Sequence, residues 1–189
     1  MVKLTKIYTR SGDDGSTALA DGTRRAKHDA RIAAYGAVDE TNAALGMARL
    51  YTKDHAELDG ILARLQNDLF DLGADLATPD NVDFEALRIT PAQVARLESE
   101  IDGLNEKLQP LDSFVLPGGS EAAAHLHLAR TLMRRAERRL SAAMEGGDGF
   151  SESARQFINR ASDLLFVAAR AANENGEKDV KWVPGANRD

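Results

Sequence analysis

The sequence predicts an all-α, up-and-down five-helix bundle with an irregular N-terminal segment. Apolar residues recur in steps of three and four almost throughout from residue 28 onward. Glycine and proline clusters break that rhythm into separate segments. A chain of 189 residues has room for one core. The expected organisation is therefore a single domain over 1–189, with an irregular segment at 1–27, helices over 28–175 and a tail at 176–189.

The first helix is expected over Ala30 to Leu50, where Tyr35, Val38, Leu45 and Ala48 stand among smaller residues. The second carries Leu58, Leu62, Leu65, Leu69, Leu72 and Leu76, and the third Val94, Leu97, Ile101, Leu104 and Leu108. Leu126, Ala129, Met133, Ala136, Leu140 and Ala143 mark the fourth; Ala154, Ile158, Ala161, Leu165, Ala168 and Ala172 mark the fifth. Each row is a seam that faces another helix. Thr90-Pro91-Ala92-Gln93 sets an N-cap, a first-turn proline and a capping-box glutamine in order. Ser151 can cap the last helix after Gly146-Gly147-Asp148-Gly149. Short connections are expected to make sequential helices antiparallel neighbours.

Composition narrows the function. The chain has no cysteine, which removes disulfides, thiolate metal sites and cysteine nucleophiles and fits a reducing compartment. The N-terminal residues lack the pattern of a secretory signal or transit peptide, and no run approaches the roughly 18 apolar residues of a membrane span, so a soluble cytoplasmic protein is expected. A net charge of −6 disfavours a general nucleic-acid surface. Anionic ligands must then meet a local basic patch.

Two such patches exist. Thr9 to Thr17 mixes glycines, hydroxyls and the Arg10 cation, with Arg24, Arg25 and Lys27 following. Glycines admit backbone N–H groups close to a phosphate, so the stretch suits a polyphosphate, although it also fits an ordinary terminus. It is not a Walker A loop, since the Gly-Lys-[Ser/Thr] ending is absent. On the fourth helix, Arg130, Arg134 and Arg138 are spaced by four and stack on one face, with Glu137 near its edge. They suit forked hydrogen bonds to a triphosphate, although read alone such a row is more commonly a solvated face with helical ion pairs.

Other candidates are weaker alone. Asn159, Asp163, Phe166 and Arg170 share a face of the fifth helix, and Asp39 and Glu40 stand among small residues of the first. Ser113 to Ser120, with Phe114, leads into the arginine helix. The four histidines form no Glu-x-x-His pair, so a di-metal bundle loses its support and no protein-borne metal site is assigned.

Taken in order, five segments resemble the PduO-type ATP:cob(I)alamin adenosyltransferases: Ile7 to Gly15, Val38-Asp39-Glu40, Phe114 to Gly119, Arg134 to Arg139, and Asn159 to Leu165. The resemblance covers nearly the whole chain. It implies a trimer with ATP and the corrinoid bound between subunits. In its terms Thr9, Arg10, Ser11, Gly12, Thr17 and Lys27 form the ATP loop, and Arg134, Glu137, Arg138 and Asn159 are the helix-borne ATP contacts. Arg130 and Asp39 form a salt bridge across the interface, and Phe114 covers the lower face of the corrin, with Phe166 and Trp182 as further candidates beside it. Arg134, Phe114, Arg130 and Asp39 are thus the expected catalytic set. Arg10 stands where the family usually has lysine, and Met133 where it often has cysteine.

The implied reaction transfers the 5′-deoxyadenosyl group of ATP to cobalt, with Mg²⁺ and the cations stabilising the departing triphosphate. It also implies a flavin-type reductase and a cobalamin-dependent acceptor enzyme as partners. Two rivals stay open at this point: a non-catalytic ATP-sensing or corrinoid-carrying bundle, and a purely structural helical oligomer.

Overall fold

The structure is a computed structural model that describes residues 7–188. Residues 1–6 and 189 of the expected domain lie outside the described residues. Five helices carry the fold: α1 (Ala30–Arg49), α2 (Ala56–Leu76), α3 (Pro91–Asn105), α4 (Glu121–Glu145) and α5 (Glu152–Ala172).

The seams named from the sequence face the interior. All six α2 leucines are buried, as are all six seam positions on α4 and on α5. In α3 the seam is buried at Val94, Leu97 and Leu104, while Ile101 and the residue after the helix, Leu108, pack against it partly exposed. Small residues on α1, α4 and α5 let these helices approach closely, and α1 against α4 is the most extensive contact. The packing sequence α2–α1–α4–α5–α3 follows, with α2 also touching α5.

Helix starts obey local chemistry. The Asp29 carboxylate accepts the Arg31 backbone N–H, Ser151 caps α5, and Thr90 with Gln93 forms the complete capping box. Ser120 accepts from Ala123 N–H at 3.2 Å and donates to the Ala172 carbonyl at 2.9 Å, which ties the start of α4 to the end of α5.

The sequence expectation needs two corrections. Short links join α1 to α2 and α4 to α5, but the connections 77–90 and 106–120 are longer, and the main neighbour of α1 is the distant α4. The segment expected to be irregular contains a hairpin: β1 (Ser16–Ala18) pairs antiparallel with β2 (Arg24–Ala26), Thr17 opposite Arg25. Asp21 closes its turn by accepting from Thr23 N–H (2.9 Å) and Oγ1–H (2.7 Å), with Gly22 at φ +84°. Three-residue strands are too short to show an alternating pattern.

The tail also pairs. Leu116 N–H donates to the Val180 carbonyl at 2.7 Å and Trp182 N–H to the Phe114 carbonyl at 2.8 Å, so 180–182 runs along the Phe114 segment. Asn173 fixes the root of that segment: its side chain accepts from Ser120 N–H (2.9 Å) and donates to the carbonyl of Gly118 (3.2 Å) and to Asp179 (3.1 Å). Gly119 sits at φ +98° against this amide, and a Cβ there would collide with it. Gly119→Ala should therefore lower stability by more than the roughly 1–2 kcal/mol of left-handed strain alone, read as a shift of the urea midpoint.

Candidate functional site

The α4 row forms the centre of the site. Arg134 and Arg138 are exposed, Arg130 is half-buried, and none of the three makes a hydrogen bond or ion pair among the described residues. The next arginine, Arg135, is instead neutralised by Glu40. A row with no ion pair of its own among the described residues, Asp163 being near enough to pull on Arg134 but not paired with it, favours an anion; a solvated face of helical ion pairs would have neutralised it. Arg134 lies close enough to lower the pKa of Arg130, although burial of Arg130 is the larger cause.

Helix α5 completes that face. Asn159 donates to Glu137 at 2.9 Å and accepts from Arg160 at 2.6 Å, while Arg160 also reaches Glu98 on α3 at 2.8 Å. Asn159 is thereby held in one orientation beside the arginines. Asp163, one turn on, has its pKa raised, first by loss of solvation and also by Glu137, against the pull of Arg160 and Arg134.

Towards the other end of the row, a depression of about 570 Å³ is lined by Leu111, Asp112, Ser113, Phe114, Val115, Arg130 and Phe166. Phe114 is 76% exposed. It lies 5.9 Å from Trp182 at a tilt of 58°. Ser113 donates to the Trp182 carbonyl at 2.7 Å, and Lys181 pairs with Asp112 at 2.6 Å, so the tail forms one wall beside the depression.

The N-terminal loop is built by local contacts. Thr9 and Ser11 share a hydroxyl hydrogen bond of 2.8 Å, and Arg24 bonds the Ser11 carbonyl and Ser16 Oγ. Gly12 has Lys27 Nζ close enough that a Cβ would stand 3.1 Å from it. Arg10 adopts φ 63° with its guanidinium 5.7 Å from the Tyr8 ring centre. Thr17 hydrogen-bonds Tyr35, whose phenol pKa is raised chiefly by burial.

This loop bonds within its own hairpin and to Tyr35 of α1, not to the arginine row. Tyr35 and Asp39 share a groove of about 440 Å³ between α1 and α2, with Phe70 among its lining. No hydrogen bond or ion pair links Thr9–Gly12, Thr17, Lys27 or Asp39 with Arg130, Arg134 or Arg138 among the described residues. One chain therefore displays the expected site residues as two groups, brought together within each group but not with each other. No cluster of three or more potential metal ligands exists among the described residues.

The profile of a family described as cobalamin adenosyltransferase matches residues 7–172. The chain belongs to this family. Among cobalamin adenosyltransferases and their relatives, it is 49% identical to the corrinoid adenosyltransferase of Mycobacterium tuberculosis over 190 residues, covering 99% of this chain and 97% of that protein. The corrinoid adenosyltransferase of Bacillus subtilis is 38% identical over 186 residues, covering 96% and 94%. Among solved structures, a phenylalanine-to-alanine variant of a PduO-type ATP:corrinoid adenosyltransferase from Lactobacillus reuteri, complexed with cobalamin and ATP, matches with a TM-score of 0.85 at 36% identity, covering 94% of this chain and 99% of that one. An arginine-to-lysine variant of the same enzyme, complexed with ATP, also matches with a TM-score of 0.85 at 36% identity, covering 94% and 100%.

Against the fold of this adenosyltransferase family, sequence reasoning missed the network that seats the N-terminal hairpin. Asp148 accepts from Arg25 and Arg31, each at 3.1 Å, and Arg31 is buried, reaching the Leu76 carbonyl at 2.8 Å and the Gly149 carbonyl at 2.9 Å. Its guanidinium also stacks 4.3 Å from the Phe150 ring centre. In sequence, Asp148 reads only as part of a glycine-rich turn, and no spacing signal connects it to Arg25.

Proposed function

We propose that the chain is an ATP:cob(I)alamin adenosyltransferase that moves the 5′-deoxyadenosyl group of ATP onto cobalt and releases triphosphate. The observation that carries this reading is the row Arg130–Arg134–Arg138, without a hydrogen bond or ion pair among the described residues, running beside a depression walled by Phe114 and Phe166. The row takes the polyphosphate and the depression takes the corrin.

In the transfer, the Co(I) substrate supplies the electron pair that forms the Co–C5′ bond. The C5′–O bond breaks and its pair leaves with triphosphate. The protein supplies no nucleophile; it aligns the reactants and meets growing negative charge with preorganised cations. Arg134 and Arg138 bind phosphate, and Glu137 holds Asn159 in orientation beside them. Thr9, Arg10, Ser11, Gly12, Thr17 and Lys27 close over the nucleotide. Mg²⁺ enters with ATP as part of the substrate complex. Phe114 excludes a lower axial ligand from cobalt. The electron donor is of flavin type, the product goes to a cobalamin-dependent enzyme, and the setting is the cytoplasm. Among the described residues, no helix is long and apolar enough to cross a membrane.

The two separated groups of site residues support a homotrimer in which the loop and Asp39 of one subunit face the arginine row of the next. The guanidinium of Arg130, part-exposed and without an ion pair among the described residues, can meet a partner's Asp39. Mixing Asp39→Ala and Arg134→Ala subunits tests this. Each variant alone should be nearly inactive, while mixed trimers contain some sites with neither change and should regain a fraction of wild-type activity. Absence of any recovery from verified mixed trimers argues for sites within single subunits.

The defining assay is anaerobic, with Mg-ATP and chemically reduced cobalamin. Protein-dependent adenosylcobalamin with stoichiometric triphosphate is expected. Tight binding of both ligands without product would instead support a carrier.

A further inference from the structure

We propose that His127 is a positioning residue for the corrinoid, a buried imidazole that seats Phe166 and Arg130 beside the depression. The inference rests on the proposed assignment of that depression to the corrin.

His127 is 1% exposed, whereas His28, His55 and His125 are exposed or half-buried. Neither of its ring nitrogens has a hydrogen-bond partner among the described residues. A buried polar atom left unpaired costs free energy that a phenylalanine at the same place would avoid, so apolar packing alone does not account for an imidazole here. Its ring centre lies 6.3 Å from that of Phe166, at a tilt of 57°. Arg130 follows three residues later on the same face of α4, with its own Nε buried and unpaired. Phe166 and Arg130 both line the depression, and His127 does not. His127 therefore acts through these two side chains.

The charged groups that face it define its protonation state. Arg130 approaches from α4 and Asp179 from the tail; α5 presents the apolar Phe166. The Asp179 carboxylate is already engaged by Arg170 Nε at 2.7 Å and by Asn173 Nδ2 at 3.1 Å. Burial first, then the Arg130 charge, hold the His127 pKa below the ordinary value of 6.5, against the pull of Asp179. At neutral pH the imidazole is uncharged. Protonation would set a second cation beside Arg130 in a closed space and disturb both groups it seats.

The unfolded imidazole takes its proton at 6.5, the folded one only at lower pH. Between those values the unfolded chain binds more protons, so stability falls as pH drops through 6.5 and is retained above it. That loss should be absent from His127→Phe.

The test measures KM for cobalamin and for ATP from about pH 5.5 to 8, the range over which histidine changes charge. In the wild type, KM for cobalamin should rise on acidification below the His127 pKa, and more steeply than KM for ATP, which keeps Arg134 and Arg138. His127→Phe should remove that rise, and His127→Ala should raise KM for cobalamin about tenfold at every pH, the effect of roughly 1.4 kcal/mol. An unchanged acid rise in His127→Phe, or an unchanged cobalamin KM in His127→Ala, overturns the proposal. If neither variant folds, the wild-type His127 ring resonances decide it: a shift on adding cobalamin supports the role, and no shift with cobalamin bound overturns it. Phe166→Ala separates the two levels of inference. If it too leaves the cobalamin KM unchanged, the assignment of the depression fails; if it raises that KM while the His127 variants do not, only the role of His127 fails.

Discussion

Arg134→Ala is expected to fold normally and to lose about 10²–10³-fold in kcat/KM, the usual cost of removing one preorganised donor from developing negative charge. The fold should be indifferent because Arg134 is exposed and bonds to nothing among the described residues, unlike Arg31 or Arg170. The loss should fall on kcat more than on KM for ATP. The charge leaving with triphosphate grows along the reaction, while neighbouring Arg130 and Arg138 still attract the ground-state nucleotide. Arg134→Lys keeps the charge but loses the fork, so it should recover only part of the rate. Single-turnover kinetics with preformed cob(I)alamin check the split. Near wild-type kcat in the alanine variant would remove Arg134 from the chemistry.

How much of this was legible in the sequence depends on the range of the signal. The five helices follow from rows such as Leu58 to Leu76, where burial imposes a period that a single chain displays. The Thr90–Gln93 capping box is equally local and forms as written. The packing order was not legible, because nothing in α1 announces that its main neighbour is α4 and not α3. The arginine row was visible as a row, but its lack of partners depends on where Glu40 and Glu98 lie. Glu40 pairs with Arg135 and Glu98 with Arg160, leaving Arg134 and Arg138 without an ion pair among the described residues. Likewise, the burial of His127 and its contact with Phe166 join two helices whose relative rotation no sequence spacing states. The pairing of Trp182 with Phe114 spans a long sequence separation through backbone hydrogen bonds, which carry no side-chain signature.

Phe114→Ala should separate binding of the nucleotide from activation of the corrinoid. Phe114 makes its ring contact with Trp182, not with Asn159 or Glu137, and its 76% exposure means that truncation leaves no core cavity, so stability and KM for ATP should change little. In the proposed complex the ring becomes buried against the lower face of the corrin, where it excludes water and the nucleotide-loop base. Burying such a side chain contributes about 1.5–3 kcal/mol, so its loss should weaken the four-coordinate Co(II) form by roughly ten- to a hundredfold relative to ligated forms. The lower ligand, once returned, makes Co(II) harder to reduce. Activity starting from Co(II) and a flavin-type donor should then fall far more than activity starting from chemically prepared cob(I)alamin. Electron paramagnetic resonance of Co(II)alamin bound with ATP reads the coordination state directly. A four-coordinate spectrum that persists undiminished in Phe114→Ala would assign ligand exclusion elsewhere, with Trp182, 5.9 Å from the Phe114 ring, the next side chain to truncate.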